Sequence, residues 1–257
     1  MIGFLLKKTL YDTWDNLFRM VLLNLGFVAS AAIPALVPAS LSFAPLAAGV
    51  VMVLGVLWCF VYLSAAALVL KEIPDSGQFG FLDFAHALKS GWKTGIILGA
   101  GTLILGFAFF TAGKYYLTIG SFAGNIAVGL VFWFALISIL ALQFFLPVRA
   151  RFEGTVRVVI KKCFLIFLDN LAFSLFCAFF VLIMLIISLF TAFLLPGPAT
   201  ALSFLDQALR LRMLKYDYLK GNPAADRRKI PWAELISTER EQTGNRSFKN
   251  FIYPWKD

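Results

Sequence analysis

The chain has 257 residues, of which 60% are hydrophobic and 14% charged, and its formal net charge is +9. A soluble domain carries roughly 25% charged residues, so this composition excludes an ordinary water-soluble globule. The three cysteines, Cys59, Cys163 and Cys177, lie in or beside apolar runs with neither metal-like nor redox spacing, and read as small buried hydrophobes.

The charge deficit is concentrated in uninterrupted stretches. No Lys, Arg, Asp or Glu occurs from Met20 to Leu70, from Thr94 to Gly113 or from Tyr115 to Val148, and Asn170 to Gln207 is broken only by Asp206. A spanning helix needs about 20 predominantly apolar residues, so these stretches have room for five or six spans. The fold class expected is an all-α, polytopic membrane helical bundle with interfacial amphipathic helices.

The opening "MIGFLLKKTLYDTWDNLFR" places Phe4, Leu10, Trp14, Leu17 and Phe18 mostly three and four residues apart. It reads either as an amphipathic helix at the inner surface or as the first turns of a long first helix. The first span covers about Met20 to Pro38 with Pro34 inside it, and the second lies within Pro45 to Leu70. "KEIPDSGQFG", with Pro74 and Gly77, marks a solvent loop. In "FLDFAHALKSGWKTG", Phe81, Phe84, Ala85, Leu88 and Trp92 share one broad face opposite Asp83, His86 and Lys89, so an interfacial helix feeds the third span from Thr94 to about Thr111. Within that span Gly95 and Gly99 are one turn apart, which permits close helix approach and motivates the hypothesis of a dimer through them.

"GKYYLTIGSFAG" has the composition of an outer interface. The fourth span runs from about Ile126 to Leu146 and stops at "PVRARFEGTVRVVIKK", and the fifth, the most hydrophobic, extends from about Leu171 to Leu195. The sixth candidate, Ala199 to Leu214, rises only about 24 Å as a helix, so it completes a crossing if Arg210 and Arg212 extend toward the inner interface.

Charge placement favours six spans over five. With the N-terminus inside, the cytoplasmic pieces hold Lys7, Lys8, Arg19, Lys71, Lys89, Lys93 and the five basic residues between Arg149 and Lys162, while the outer loops hold only Lys114. Five spans would put Lys215, Lys220, Arg227, Arg228 and Lys229 outside. The expected division is a transmembrane domain over 1–214 and a cytoplasmic tail over 215–257, the tail packing on the bundle or on a partner. Both termini are then cytoplasmic.

The uncharged connection "IPALVPASLSFAP", the stretch "FLDFAHALKSGWKTGIILGAG" and the segment "FLPVRARFEGTVRVVIKKCFLIFLDN" together resemble the YesL-like family of bacterial membrane proteins, a poorly characterised group often associated with carbohydrate-use systems. The resemblance covers most of the membrane region. It implies a bacterial inner-membrane protein that serves as an accessory of a sugar transporter, with permease or ATPase subunits as partners, and it brings no catalytic residues.

Polar groups inside the membrane region are the site candidates. Asp206 has Arg210 one turn later and forms a pair with it in the simplest reading. Asp169 and Asn170 follow the basic segment and can cap a helix or pair with Lys161 or Lys162. A polar cavity, if formed, would draw on these residues together with Asn24 and Ser30. His86 has no nearby Cys or second His, so no metal site is expected, and neither a nucleophile motif nor a phosphate-binding glycine loop is present. No cofactor and no enzymatic activity are expected. The basic residues flank spans, where membrane lipid and topology account for them, so nucleic acid is not an expected partner. Three classes remain, in this order: an accessory protein, a small-solute transporter and a membrane enzyme, the last placed third because the cytoplasmic loops lack clustered Asp, Glu, His or Cys. The transporter reading predicts a polar cavity lined by Ser30 and Thr102 and reached past Asn24; the accessory reading predicts a tightly packed interior and an exposed contact surface.

Overall fold

A computed structural model describes residues 1–73, 80–223, 226 and 229–243. The solvent loop around Pro74 and Gly77, the basic residues Arg227 and Arg228, and the aromatic end of the chain lie outside the described residues. All regular elements among the described residues are helices.

The N-terminal segment forms a helix of its own. Helix α1 (Ile2–Asp15) and helix α2 (Leu17–Ser40) are separated at Asn16, whose φ of −112° and ψ of 26° break the helical run. The segment is therefore a helix of its own and not the first turns of α2, and it packs on the last long helix of the chain. Helix α2 runs on through Pro34 and Pro38. Helix α3 (Pro45–Leu70) begins on a proline, where the missing N–H costs nothing, and matches the expected second span.

The expected interfacial helix and third span are one element. Helix α4 (Phe81–Ile119) runs unbroken for 39 residues, about 58 Å, so the segment feeding the span continues along its axis. Gly91, Gly95 and Gly99 supply the reason: each lies against α3, and close backbone contact holds α4 to α3 over the junction. Gly120, at φ +63°, ends α4 in the left-handed conformation, and the Ser121 hydroxyl accepts from the Gly124 amide at 3.1 Å to cap helix α5 (Phe122–Leu142). Short helix α6 (Phe145–Arg151) follows, then α7 (Val156–Asp169) and α8 (Leu171–Phe190).

Helix α8 stops short of the expected end at Leu195. Ala192 and Phe193 adopt φ values of 50° and 60° and turn the chain back, with the Phe193 amide donating to Ser188 O at 2.7 Å. Helix α9 (Pro198–Gly221) passes straight through the expected domain boundary after residue 214. The short helices α10 (Trp232–Leu235) and α11 (Ser237–Thr243) fold the described part of the tail back onto the bundle, where Ile236 is buried in the main core and Trp232 packs against it.

Five stretches are long and apolar enough to cross a membrane: α2, α3, α4, the continuous α5–α6 run and α8. Helix α9 is not among them. Its 24 residues give it about 36 Å of length, so it is longer than the sequence suggested, and polarity is what sets it apart. The polarity is accommodated by position, because α1, α2, α3, α6 and α8 all pack on α9. Phe144, Phe145, Val148, Val159, Cys163, Phe204 and Leu209 form the core around it. Large apolar side chains face outward on the other helices, including Leu46 at 89%, Phe190 at 86% and Phe107 at 72% exposure. An outward apolar surface of this extent fits lipid as the surrounding solvent.

Candidate functional site

The buried ion pairs of the interior, with several hydrogen-bonding side chains, converge on α9. Asp206, near its middle, accepts from Arg151 Nε at 2.6 Å and Arg151 Nη2 at 2.5 Å. The same Nη2 donates to Lys71 O at 3.2 Å, and Lys71 Nζ donates to Ala150 O at 3.4 Å. This bidentate pair, 13% and 5% exposed at its two side chains, joins α9 to the ends of α6 and α3.

The expected Asp206–Arg210 pair is therefore corrected. Arg210 Nε instead donates to Glu239 Oε1 of α11 at 2.9 Å. The two residues share one helix, but Asp206 is buried against α6 while Arg210 reaches the returning tail. Arg151, read from the sequence as one of several flanking charges, is the partner that was missed.

A second contact joins α9 to α1. Gln207 Nε2 donates to Asp12 Oδ2 at 2.9 Å, and Thr9 Oγ1 lies 2.9 Å from both Gln207 Oε1 and Leu5 O, so its one proton serves two acceptors. Burial pushes the Asp12 carboxyl up to about 6, against the opposing pull of Lys8, whose Nζ is 3.7 Å away.

The third contact centres on Asn170, between α7 and α8. Its Oδ1 accepts from Arg212 Nη1 and from Lys215 Nζ, each at 3.0 Å. Its Nδ2 donates to Ile166 O at 3.2 Å and lies 2.7 Å from Tyr216 OH. Asn170 thus acts through its side chain as a link to α9, and it makes no side-chain cap on α8. Asp169 accepts from Lys215 Nζ at 2.8 Å and from Tyr216 OH at 3.0 Å. Lys162, an expected partner of Asp169, stands 3.7 Å over the Phe152 ring. Arg212 does not extend to an interface: it is buried, with its guanidinium 3.6 Å over the Phe173 ring.

Asn24 closes the start of α9. Its Nδ2 donates to Leu194 O at 2.9 Å and its Oδ1 accepts from the Ala199 amide at 2.8 Å. A side chain of α2 thus satisfies one of the unpaired amides of the first turn of α9. Gly197 lies so close that a Cβ there would sit 2.4 Å from Asn24 Cγ. Ser30 has a separate task, donating to Gly26 O at 2.9 Å and accepting from Trp58 Nε1 at 3.2 Å across the α2–α3 contact. Asn24, Asp169, Asn170, Asp206 and Arg210 are therefore gathered along α9, and Ser30 is not.

Gly95 and Gly99 do serve helix packing, but within one chain. A Cβ on Gly95 would lie 2.4 Å from Val61 Cα, and one on Gly99 would lie 3.0 Å from Leu57 Cδ2. That face is covered by α3, so it is closed to a second copy. The three cysteines are free; Cys163 and Cys177 are fully buried, and burial pushes the Cys163 thiol up to about 12.

Two described cavities flank this arrangement, both with largely apolar walls: one of about 600 Å³ between α1 and α8, the other of about 390 Å³ beside Phe152, Ile166 and Met213. Among the described residues no group of three or more His, Cys, Asp or Glu could hold a metal ion. No known family model, curated protein or solved structure matches the chain. Chemically, the arrangement pairs buried charges and orders helices around α9. The signal available in the sequence was the density of Asp206, Gln207, Arg210, Arg212 and Lys215 in one helix following a strongly apolar one.

Proposed function

We propose that the protein is a non-catalytic component of a bacterial cytoplasmic-membrane assembly, an accessory of a carbohydrate transport system of the kind the YesL-like resemblance implies, with permease or ATPase subunits as its partners. The observation that carries this reading is the distribution of polar and apolar groups. Three ion pairs meet on α9 and the buried Arg212 is held by Asn170 and the Phe173 ring, while α2 to α5 present large apolar side chains outward. Such a surface suits packing against lipid and against other membrane helices.

An autonomous solute carrier is the competing reading, and it needs a polar path. Asn24 and Ser30 are committed to bonds between helices, and Thr102 is exposed on α4. Counting α9 as a sixth crossing puts both termini in the cytoplasm, in keeping with the excess of Lys and Arg in the segments assigned to that side.

The test is a gentle-detergent purification of the tagged protein from its own membranes, with co-purifying subunits quantified by mass spectrometry. Permease or ATPase subunits in fixed ratio are the expected result. A reproducibly lone protein that moves sugar into liposomes overturns the proposal in favour of the carrier.

A further inference from the structure

The larger cavity is a groove between α1 and α8, lined as well by Leu195, Pro196 and Thr200. From Gly3 to Trp14 its α1 wall spans about 17 Å. Its volume of about 600 Å³ lies within the roughly 300–1,000 Å³ of ligand sites. Two features of its wall are polar. Lys7 is the only charged residue among those lining it, and its ammonium stands 5.6 Å from the centre of the Tyr11 ring. Thr13 is 7% exposed, and its hydroxyl has no hydrogen-bond partner. Threonine in a helix has two accessible χ1 rotamers, one step apart, by which this hydroxyl can turn toward the groove.

We infer that this groove is a binding site for one anionic membrane phospholipid, with the phosphate at the Lys7 ammonium, an ester carbonyl at the Thr13 hydroxyl and an acyl chain along Leu6, Leu10, Phe180 and Met184. The occupant follows from what the walls lack. Thr13 lacks an acceptor and Lys7 can hold an anion, and a phospholipid carries both next to an apolar chain. A wholly apolar partner helix has its backbone carbonyls already bonded and offers neither. The groove is continuous with surface that already faces the apolar phase, since Trp14 and Phe18 beside it are 45% and 73% exposed. The site rests on the membrane bundle and is independent of any transporter role.

The experiment reconstitutes the full chain with phosphatidylglycerol carrying a photoactivatable group on its acyl chain, maps the crosslinks, and counts retained lipid by native mass spectrometry. Wild type should keep one phosphatidylglycerol per chain through detergent exchange, crosslinked within 6–14 and 180–184. Lys7→Gln should weaken retention roughly tenfold, as loss of a charge-assisted contact does, and Thr13→Val about threefold. Gly3→Phe should abolish retention with an unchanged melting temperature, because a Cβ at Gly3 meets nothing within 4 Å. The inference is overturned if wild type keeps no lipid, if Lys7→Gln and Gly3→Phe keep as much as wild type, if crosslinks spread evenly over α2 to α5, or if a polypeptide crosslinks in the groove instead.

Discussion

The α2–α3–α4 layer and the surroundings of α9 are held together by opposite devices. In the layer, small residues permit close approach: Gly95 lies on the Val61 backbone, Gly55 on Pro34, and Gly26 under the phenol of Tyr62, whose hydroxyl donates to Leu23 O at 2.8 Å. Around α9 the contacts are long side chains ending in charged or amide groups, from Arg151 to Lys215. The difference follows from the solvent. Lipid tails are as apolar as leucine, so helices gain little by hiding apolar faces from them and associate through close packing or polar bonds. A glycine contact works between two helices running side by side, whereas a helix wrapped by five others can carry charge, because partners approach it from several sides.

The strongest way to break this contrast is Gly95→Leu. A side chain there meets the α3 backbone at 2.4 Å, and backbone cannot step aside as a flexible side chain does, so no monodisperse bundle should be recovered in detergent. Gly101→Leu and Gly106→Leu on the same helix face open space and should leave yield and melting unchanged. Next in size, Arg151→Leu leaves Asp206 buried and unpaired, with an expected loss of about 3–5 kcal/mol in reversible denaturation, most of it recovered in the double variant with Asp206→Leu. A single and a double variant that lose equal stability would show that the pair contributes no mutual compensation.

A pH titration sharpens the polar side of the comparison. The Asp12 carboxyl is raised from 3.8 to about 6 by burial, so folding favours its protonated form. Its contribution is complete below pH 4 and is lost as pH rises through 6, by at most about 3 kcal/mol. The melting temperature should show a drop across that window that Asp12→Asn removes, and a drop of the same size in the variant would assign it to another group. The smallest expected effect is Asn24→Leu, which strands Leu194 O and the Ala199 amide and should cost about 2 kcal/mol, with faster hydrogen exchange confined to the first turn of α9.

Much of the fold was legible in the chain itself. Absence of charge over some 20 residues is a local property with one physical outcome, so five of the six expected spans follow from it, α3 to the residue, while α9, the expected sixth, is too polar to count among them. The one-turn spacing of Gly95 and Gly99 also marked a close helix contact. The partners of the polar residues were not legible. Asp206 had a cation one turn away in Arg210 and bonded instead to Arg151, 55 residues distant; Gln207 found Asp12 across 195. The sequence by itself thus determined that this is an all-α bundle built for an apolar solvent and where its apolar helices run. Only the tertiary structure decided that α9 is the buried axis and which charges meet on it, because a hydrophobic run acts through its own composition, whereas a buried charge is satisfied by whichever group the packing of the other helices brings within reach.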